Sequence, residues 1–521
     1  MDLAIKIIFL VVFFAVMIAI GVMTRKKANS VEGFVLGGRN AGPWLTAFGY
    51  GTSYFSAVVF IGYAGQFGWK YGIASTWIGI GNAVIGSLLA WIILGRRTRV
   101  MTKHLNSKTM PDFFGKRYDS KALRITAALI SFIFLIPYTS SVYNGLSRLF
   151  NMAFNIDYKI CIIVMAALTC IYVILGGYMA TVVNDLVQGI IMLFGITAVI
   201  ATVLNNNGGF IDALSKLSQA QPDATVPAGM QGAFASFFGP DPLNLLGVIV
   251  LTSLGTWGLP QMVGKFYAIK DEKSVKAGTV ISTLFAFVVA GGCYFLGGFA
   301  RLYEGSISYA DGKPMYDSII PTMLNNLPSI LIGVVIVLVL SASMSTLSSL
   351  VLTSSSTVTL DLIEQIKPKK NEDKKKRERT QLITMRLLLV FFIVVSVLLS
   401  LNPPTFIAQL MGYSWGALAG AFLAPFLWGL YWKKTTKISV WVCFIFGVGF
   451  TVANMFLKFI ASPINAGAIT MLAGLVIVPV VSLITPKLSK AKVDEIFKCY
   501  DEKVTIEKRY SLPEEAPAGE E

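Results

Sequence analysis

Residues 47–68 read AFGYGTSYFSAVVFIGYAGQFG, an apolar stretch that is long enough to cross a bilayer but is interrupted by several glycines. Residues 251–264 read LTSLGTWGLPQMVG and combine three glycines with Pro260. An unwound span frees backbone carbonyl and N–H groups at membrane depth, which is tolerated only where a cavity, an ion or a ligand satisfies them. We therefore interpret both stretches as broken spans at a binding site. Close helix packing at glycine is the alternative.

The composition indicates a polytopic helical membrane protein. Of the 521 residues, 55% are hydrophobic and only 14% are charged, which is too little charge for the surface of a soluble domain. Apolar runs of about 18 to 25 residues recur without the alternation of a β-barrel, and they predict about thirteen helical spans, of which the seventh covers about 242–263 and the ninth about 323–358. The net charge of +16 comes with basic residues in short loops, so we interpret it as an orientation signal and not as a sign of nucleic-acid binding.

The two interrupted stretches lie five predicted spans apart, which is typical of an inverted repeat of two five-helix halves. The predicted segments are an extra N-terminal helix with the first cytoplasmic loop (1–42), the first five-helix repeat (43–204), an extracellular loop (205–241), the second five-helix repeat (242–431), two C-terminal transmembrane helices (432–486) and a cytoplasmic tail (487–521). The tail is polar and is expected to be disordered.

Lys and Arg predict the orientation. They concentrate in the loops after the first, third and ninth predicted spans, the last of which reads KPKKNEDKKKRER at 367–379. With an odd number of spans, this pattern predicts an N-terminus outside the cell and a C-terminus in the cytoplasm.

The predicted ninth span contains LSASMSTLSSLVLTSSSTV at 340–358, in which more than half of the residues are Ser or Thr. Ala342, Ser345, Thr346 and Ser349 share one helical face, with Ser348 beside them. Hydroxyl and carbonyl oxygens are hard ligands that suit small hard cations. Hydrogen bonding between helices is the alternative role for these hydroxyls.

Asp185 is the only carboxylate within a predicted apolar span. A lone charge at that depth costs about 2.5–3.5 kcal/mol and needs a partner. Its segment contains no basic residue, so we expect a bound cation as the partner, unless Asp185 lies at the interface and is solvated. The one histidine, His104, lies in a loop and cannot relay protons across the membrane, which favours sodium as the coupling ion.

At these residues the chain resembles the sodium/solute symporter family over nearly its whole length, and within it the pantothenate, monocarboxylate and proline branches. The motifs that carry the resemblance are VLGGRNAGPWLTAFGYGTSYFSAVVFIG (35–62), TMPDFFGKRYDSKALRI (109–125), LGGYMATVVNDLVQGIIM (175–192), SASMSTLSS (341–349) and MGYSWGALAGAFLAPFLWGLYW (411–432). The resemblance implies thirteen spans and a five-plus-five inverted repeat of the leucine-transporter type, preceded by one extra helix.

The resemblance also implies the ion-binding residues. The main sodium site would consist of the carbonyls of Thr52, Phe55 and Ala342 with the hydroxyls of Ser345 and Thr346. A second sodium site, which some members of the family have, would fall on Asp185, Ser345, Ser348 and Ser349.

Substrate contacts implied by the resemblance come from the broken spans and from the fourth and eleventh spans. The candidates are Ser56, Val58, Val59, Tyr138, Thr256, Trp257 and Tyr413. Val58 and Val59 replace a polar pair found in sugar-transporting members, which disfavours a sugar. We predict a small carboxylate-bearing solute, such as a monocarboxylate, a pantothenate-like compound or an amino acid. A sodium/proline symporter is the alternative.

The predicted function is sodium-coupled symport by alternating access, carried out by a monomer in the bacterial cell membrane. An ion channel and a solute sensor are more remote alternatives. A channel requires a continuous polar pore, and a sensor carries signalling domains that this sequence does not contain. HExxH and Walker A motifs are absent from the sequence, so an enzyme is not expected.

Overall fold

The computed structural model describes residues 2–221, 231–310, 312–325, 327–366 and 373–501. Within these ranges the protein is almost wholly helical. The exception is one short antiparallel pair, β1 (Tyr309–Ala310) and β2 (Lys313–Pro314), in which Tyr309 lies opposite Pro314.

The helices follow the predicted apolar stretches. In the first half they are α1 (Asp2–Thr24), α2 (Val31–Leu36), α3 (Pro43–Tyr54), α4 (Ala64–Tyr71), α5 (Thr76–Gly81), α6 (Arg96–His104), α7 (Met110–Arg117), α8 (Lys121–Phe154), α9 (Tyr158–Asn206) and α10 (Phe210–Ser218). In the second half they are α11 (Pro242–Gly258), α12 (Pro260–Ala268), α13 (Glu272–Gly297), α14 (Tyr316–Leu324), α15 (Ser329–Thr357), α16 (Glu364–Ile366), α17 (Lys374–Leu401), α18 (Ile407–Tyr431), α19 (Lys437–Leu457), α20 (Pro463–Ile484) and α21 (Lys490–Phe497). π-Helical turns cover Val58–Tyr63, Asn82–Leu89, Trp91–Gly95 and Val358–Ile363, and 3-10 turns cover Arg25–Ala28, Gly37–Arg39, Gly72–Ser75, Ala233–Ala235, Ala300–Ser306 and Lys498–Tyr500.

In the described ranges, ten helices are long and apolar enough to cross a membrane, and α11 with α12 make an eleventh span bent by 47°. Two of the ten contain 47 and 49 residues. At about 1.5 Å per residue they would extend for about 70 Å, more than twice the thickness of a hydrocarbon core. Each contains a glycine with positive φ, Gly72 at 58° or Gly177 at 54°. Dividing both helices at these glycines would give thirteen spans, but this number stays a prediction.

Both predicted breaks are present. The second span leaves helical geometry after Tyr54 and resumes as helix at residue 57, so α3 and α4 are its two halves. The seventh span breaks at Leu259, between α11 and α12. The glycine and proline pattern therefore located the two interruptions correctly.

The two broken spans are tied together at one end of the bundle. The Ala41 N–H, just before α3, donates to the carbonyl of Ala268 at 3.1 Å, and the Lys270 N–H donates back to the Ala41 carbonyl at 2.9 Å. The buried Arg39 guanidinium donates to the Tyr267 carbonyl at 3.3 Å. These contacts fix the first half of one broken span against the second half of the other.

The hydroxyl-rich helix lies in the centre of the bundle. In its most apolar window α15 is 83% buried, whereas the corresponding window of α1 is 17% buried. It packs against α1, α3, α8, α9 and α17. Its hydroxyls therefore face other helices and not lipid.

The C-terminal segment corrects one expectation. Residues 487–501 are not disordered, because α21 and the 3-10 turn that follows it form and contact α6. Val493, Ile496 and Phe497 recur at helical spacing and are buried, and the Arg117 guanidinium lies 5.0 Å from the Phe497 ring. The rest of the predicted tail, residues 502–521, lies outside the described residues.

We predict that Gly177→Ala lowers thermal stability. Gly177 has φ 54° and ψ −148°, a conformation almost restricted to glycine, and an added Cβ would lie 2.9 Å from the Phe34 ring. Such strain costs about 1–3 kcal/mol, so the unfolding midpoint in detergent should fall by several degrees. Gly449→Ala is the matched control, since its Cβ would have no neighbour within 4 Å. Equal midpoints for the two variants would contradict the strained break in helical geometry at Gly177.

Candidate functional site

The break in the second span is buried within the bundle. Phe55 leaves helical geometry with φ −106° and ψ 88°. The next helix starts with Ser56 as its cap, because the Ser56 hydroxyl accepts from Val58 N–H at 3.2 Å and its carbonyl accepts from Val59 N–H at 2.9 Å. Thr52, Phe55, Ser56, Val58 and Val59 are each at most 3% exposed.

The hydroxyls of α15 face the end of α3. The Ser345 hydroxyl donates to Thr52 Oγ1 at 2.7 Å. Thr346 Oγ1 lies 3.4 Å from Thr52 O, 3.2 Å from Ser53 O and 3.1 Å from Ala342 O. The expected contact between the broken second span and the hydroxyl-rich helix is therefore confirmed, and it is made through oxygen atoms.

The oxygen atoms near Thr346 are more numerous than the protons available to them. A hydroxyl carries one proton, yet Thr346 Oγ1 lies near three carbonyl oxygens. The carbonyls of Thr52 and Ser53 belong to the last turn of α3, where carbonyls lack partners within the helix. Ligands about 2.4 Å from a hard cation are separated by about 3.4 Å in regular six-fold coordination, which is close to these spacings. The donor set thus fits a small hard cation, although the assignment of the five sodium ligands stays a prediction.

Asp185 has a protein partner that the sequence analysis missed. It is fully buried on α9, so it is not solvated at the interface, and its Oδ2 lies 3.3 Å from the Lys265 ammonium. Lys265, on α12, is 2% exposed and also donates to the Ser349 hydroxyl at 3.1 Å. The counter-charge of Asp185 therefore comes from another span.

A small error in a helix boundary explains this omission. The seventh span was expected to end at residue 263, which placed Lys265 outside the membrane, whereas α12 continues to Ala268. The apolar residues on both sides of Lys265 in QMVGKFYAI could have indicated a buried lysine. Similarly, the helix begun by α15 continues beyond residue 358 and buries Asp361, which pairs with Arg124 at 2.7 Å. Asp185 is thus not the only buried carboxylate of these helices.

The other predicted second-site oxygens have partners of their own. The Ser348 hydroxyl donates to the Ser345 carbonyl at 2.9 Å, within α15. The Ser349 hydroxyl is 2.9 Å from the Ser53 hydroxyl in addition to its contact with Lys265. The side chains predicted for the second sodium site are therefore close together, with an ammonium group among them.

Aromatic rings line the break next to the predicted sodium site. Tyr54 and Phe55 stack with centroids 4.2 Å apart, and the Trp415 ring lies 6.2 Å from Tyr54 and 5.8 Å from Tyr138. An added Cβ on Gly255 would lie 2.4 Å from Trp415, so this glycine makes room for the indole against α11. The Tyr138 hydroxyl and the Trp415 N–H are buried, and neither has a hydrogen-bond partner among the described residues. A solute bound at the break could therefore hydrogen-bond to these groups.

The remaining predicted substrate residues are placed less favourably. Thr256 donates to the Gly86 carbonyl at 3.1 Å, and the Trp257 N–H donates to the Ile85 carbonyl at 3.0 Å, so both polar groups are engaged by a neighbouring span. On α18, Trp415 lies against the break, whereas Tyr413 is half-buried two residues earlier. The roles of Thr256, Trp257 and Tyr413 stay predictions, and Trp415 is an additional candidate.

Two cavities approach the site from opposite ends. One of about 50 Å³ is lined by Gln261, Lys265, Ser349 and Lys108, among others, and Lys108 belongs to the basic loop between α6 and α7. One of about 480 Å³ at the other end is lined by Gln66, Lys70, Asp241 and Gln409, among others. Residues 52–59 line neither of these two cavities, so the break is separated from both.

Comparisons with known proteins agree with this architecture. The profile of the Sodium:solute symporter family matches residues 34–447. The osmoregulated proline transporter OpuE of Bacillus subtilis is 30% identical over 495 residues, which cover 93% of this chain and 96% of OpuE. A sodium/proline symporter of Staphylococcus aureus is 29% identical, over 82% of each chain.

Solved structures share the fold. A Na⁺-coupled sialic acid symporter superposes with a TM-score of 0.73 at 16% identity, covering 93% of this chain and 99% of that one. The nucleobase-cation-symport-1 family transporter Mhp1 gives a TM-score of 0.51 at 12% identity, covering 89% and 97%. The predicted all-helical fold of the leucine-transporter type is therefore confirmed.

Proposed function

Because the chain belongs to the Sodium:solute symporter family, and is thus a sodium-coupled membrane transporter of small solutes, we propose that it imports a carboxylate-bearing solute with proline as the first candidate. The observation that carries the sodium site is the position of Thr346 Oγ1, which faces three carbonyl oxygens with one proton. A cation bound there would satisfy carbonyl groups that the hydroxyl cannot satisfy alone.

The helix end and the aromatic rings at the break in the second span favour an amino acid as the solute. The helix that resumes after the break presents its N-terminal end, which attracts a carboxylate. The faces of Tyr54, Tyr138 and Trp415 suit an apolar ring or an ammonium group. Proline combines all three features, and relatives at 29–30% identity carry proline transport in their names. A monocarboxylate without an ammonium group is the second candidate, since Val58 and Val59 leave the wall of the break apolar.

Transport then proceeds by alternating access. Sodium enters from outside, joins the carbonyls of α3 to the hydroxyls of α15, and holds the break in the shape that binds the solute. The two ligands thus bind with positive coupling. On the other side sodium is scarce, so the ion leaves and the solute follows. The membrane potential adds about 2.3 kcal/mol per charge per 100 mV to the inward step.

The orientation and the working unit belong to the same proposal. Basic loops between α1 and α3 and around α6 and α7 favour a cytoplasmic position for that face, with the N-terminus outside and the C-terminus inside. We take a monomer as the transporting unit in the bacterial membrane. The cavity next to Lys265 would then open towards the cytoplasm, and the larger cavity next to Lys70 towards the outside.

We predict that Ser345→Ala and Thr346→Ala raise the sodium concentration for half-maximal uptake about ten-fold each, since loss of one ligand at about 1.4 kcal/mol changes affinity ten-fold. Uptake into proteoliposomes over a sodium series measures this. Ser343→Ala is the matched control, because its buried hydroxyl donates to Val339 O within α15. If the three variants shared the wild-type sodium dependence, the main sodium site would lie elsewhere.

The solute is tested with purified wild-type protein. We predict that L-proline raises the thermal unfolding midpoint in sodium and has no effect in potassium, because sodium shapes the site. Acetate and pantothenate are the competing ligands in the same assay. Stabilisation by a monocarboxylate alone would replace proline with the second candidate, and proline stabilisation that is equal in potassium would contradict the coupling.

We predict that Trp415→Ala raises the half-saturating proline concentration for uptake ten-fold or more. The sodium dependence of the unfolding midpoint should stay unchanged. The indole lies against Tyr54 and Tyr138, away from the oxygens around Thr346. Tyr413→Ala is the control on the same helix, and it should be close to wild type. A larger effect at Tyr413 than at Trp415 would contradict this account of α18.

A further inference from the structure

Four elements meet at Asp185. The carboxylate on α9 faces the Lys265 ammonium on α12 at 3.3 Å, and this ammonium reaches Ser349 on α15 at 3.1 Å. The fourth element is α3, because a Cβ added to Gly49 would lie 3.1 Å from Asp185 Oδ2 and 3.4 Å from Lys265 Nζ. The ion pair thus fills the space between both broken spans and the central helix.

We propose that the Lys265 ammonium is a tethered cation that permanently occupies the position of a second sodium at Asp185, so that one sodium and not two binds and is transported. This inference rests on the proposed sodium-coupled function. It concerns the ion stoichiometry and not the identity of the solute.

The contacts of the ammonium support this assignment. A buried carboxylate needs a cation nearby, and among the described residues Lys265 is the basic side chain in contact with Asp185. The ammonium donates to the Asp185 carboxylate and to the Ser349 hydroxyl, which are two of the four side chains predicted to hold a second sodium. Ser345 and Ser348 donate to Thr52 Oγ1 and to the Ser345 carbonyl, so they are engaged as well.

A sodium ion could not easily join this arrangement. Asp185 Oδ1 has no hydrogen-bond partner within the described ranges and is the acceptor left at this position. A sodium there would share the carboxylate with the ammonium, and two positive charges at that separation repel in a dry interior. Removing the ammonium would instead leave one carboxylate and several hydroxyl oxygens, a donor set that suits sodium.

The tether has a direct consequence for transport. Lys265 belongs to the second half of the broken seventh span and lines the cavity of about 50 Å³ that Lys108 also lines. A transported ion would leave through such a cavity, whereas the ammonium stays bonded to α12. The charge at Asp185 is therefore neutralised by a cation that is not itself transported.

The experiment counts bound sodium in the purified full-length protein, with ²²Na⁺ as the probe and no solute added. We expect one sodium per wild-type protein and two per Lys265→Met protein at saturation. The double variant Asp185→Asn/Lys265→Met removes both charges and should return to one. Adding Thr346→Ala to Lys265→Met should remove the original site and retain the new one.

Each result supports or overturns the inference. Two sodium ions bound by the wild type would overturn it, and this measurement holds even if Lys265→Met does not fold. One sodium in both the wild type and Lys265→Met would also overturn it, because Lys265 would then not be replacing an ion. No sodium binding by the wild type would contradict the proposed function itself, so the two failures are distinguishable.

Discussion

The structure depends on how a broken helix is satisfied inside a membrane. The carbonyls of Thr52 and Ser53 end α3 at a depth where an unpaired polar group costs several kcal/mol. The Thr346 hydroxyl approaches both, but one interhelical hydrogen bond contributes only about 1–2 kcal/mol. The remaining deficit is what makes a cation favourable between α3 and α15. The same deficit links ion binding to the geometry of the break, because the oxygens are correctly spaced only when the two helices are together.

Much of this arrangement could be predicted from the sequence. Interrupted apolar runs at 47–68 and 251–264 located both breaks, since glycine and proline act on the backbone locally. The spacing of Ser and Thr in 341–349 likewise identified which face of α15 carries the hydroxyls, because helical periodicity is also a local property of the chain. Contacts between distant spans could not be obtained in this way. Trp415 was missed because periodicity alone does not say which of two neighbouring aromatic residues on α18 faces the break.

The position of Lys265 also could not be predicted from the sequence, and this omission affects the ion-binding site. A shift of five residues in the end of one helix moves its ammonium from solvent to a site where it contacts Asp185. At about 4 Å and an effective dielectric constant of 20, two unit charges interact by about 4 kcal/mol. The interaction is attractive between the ammonium and the carboxylate, and it is repulsive between the ammonium and any further cation. One lysine thus changes the number of ions that this part of the bundle can hold.

The number of ions sets how far a solute can be concentrated. For a zwitterionic solute, one sodium carries one charge inward, worth about 2.3 kcal/mol at 100 mV. A ten-fold sodium gradient adds about 1.4 kcal/mol, and the total supports a solute gradient of about 500-fold. A second transported sodium would double this free energy, and would also require that a second ion be released into the cytoplasm in each cycle. An ammonium fixed at Asp185 keeps the carboxylate neutralised without that second release, so the limit on accumulation follows from a single buried side chain.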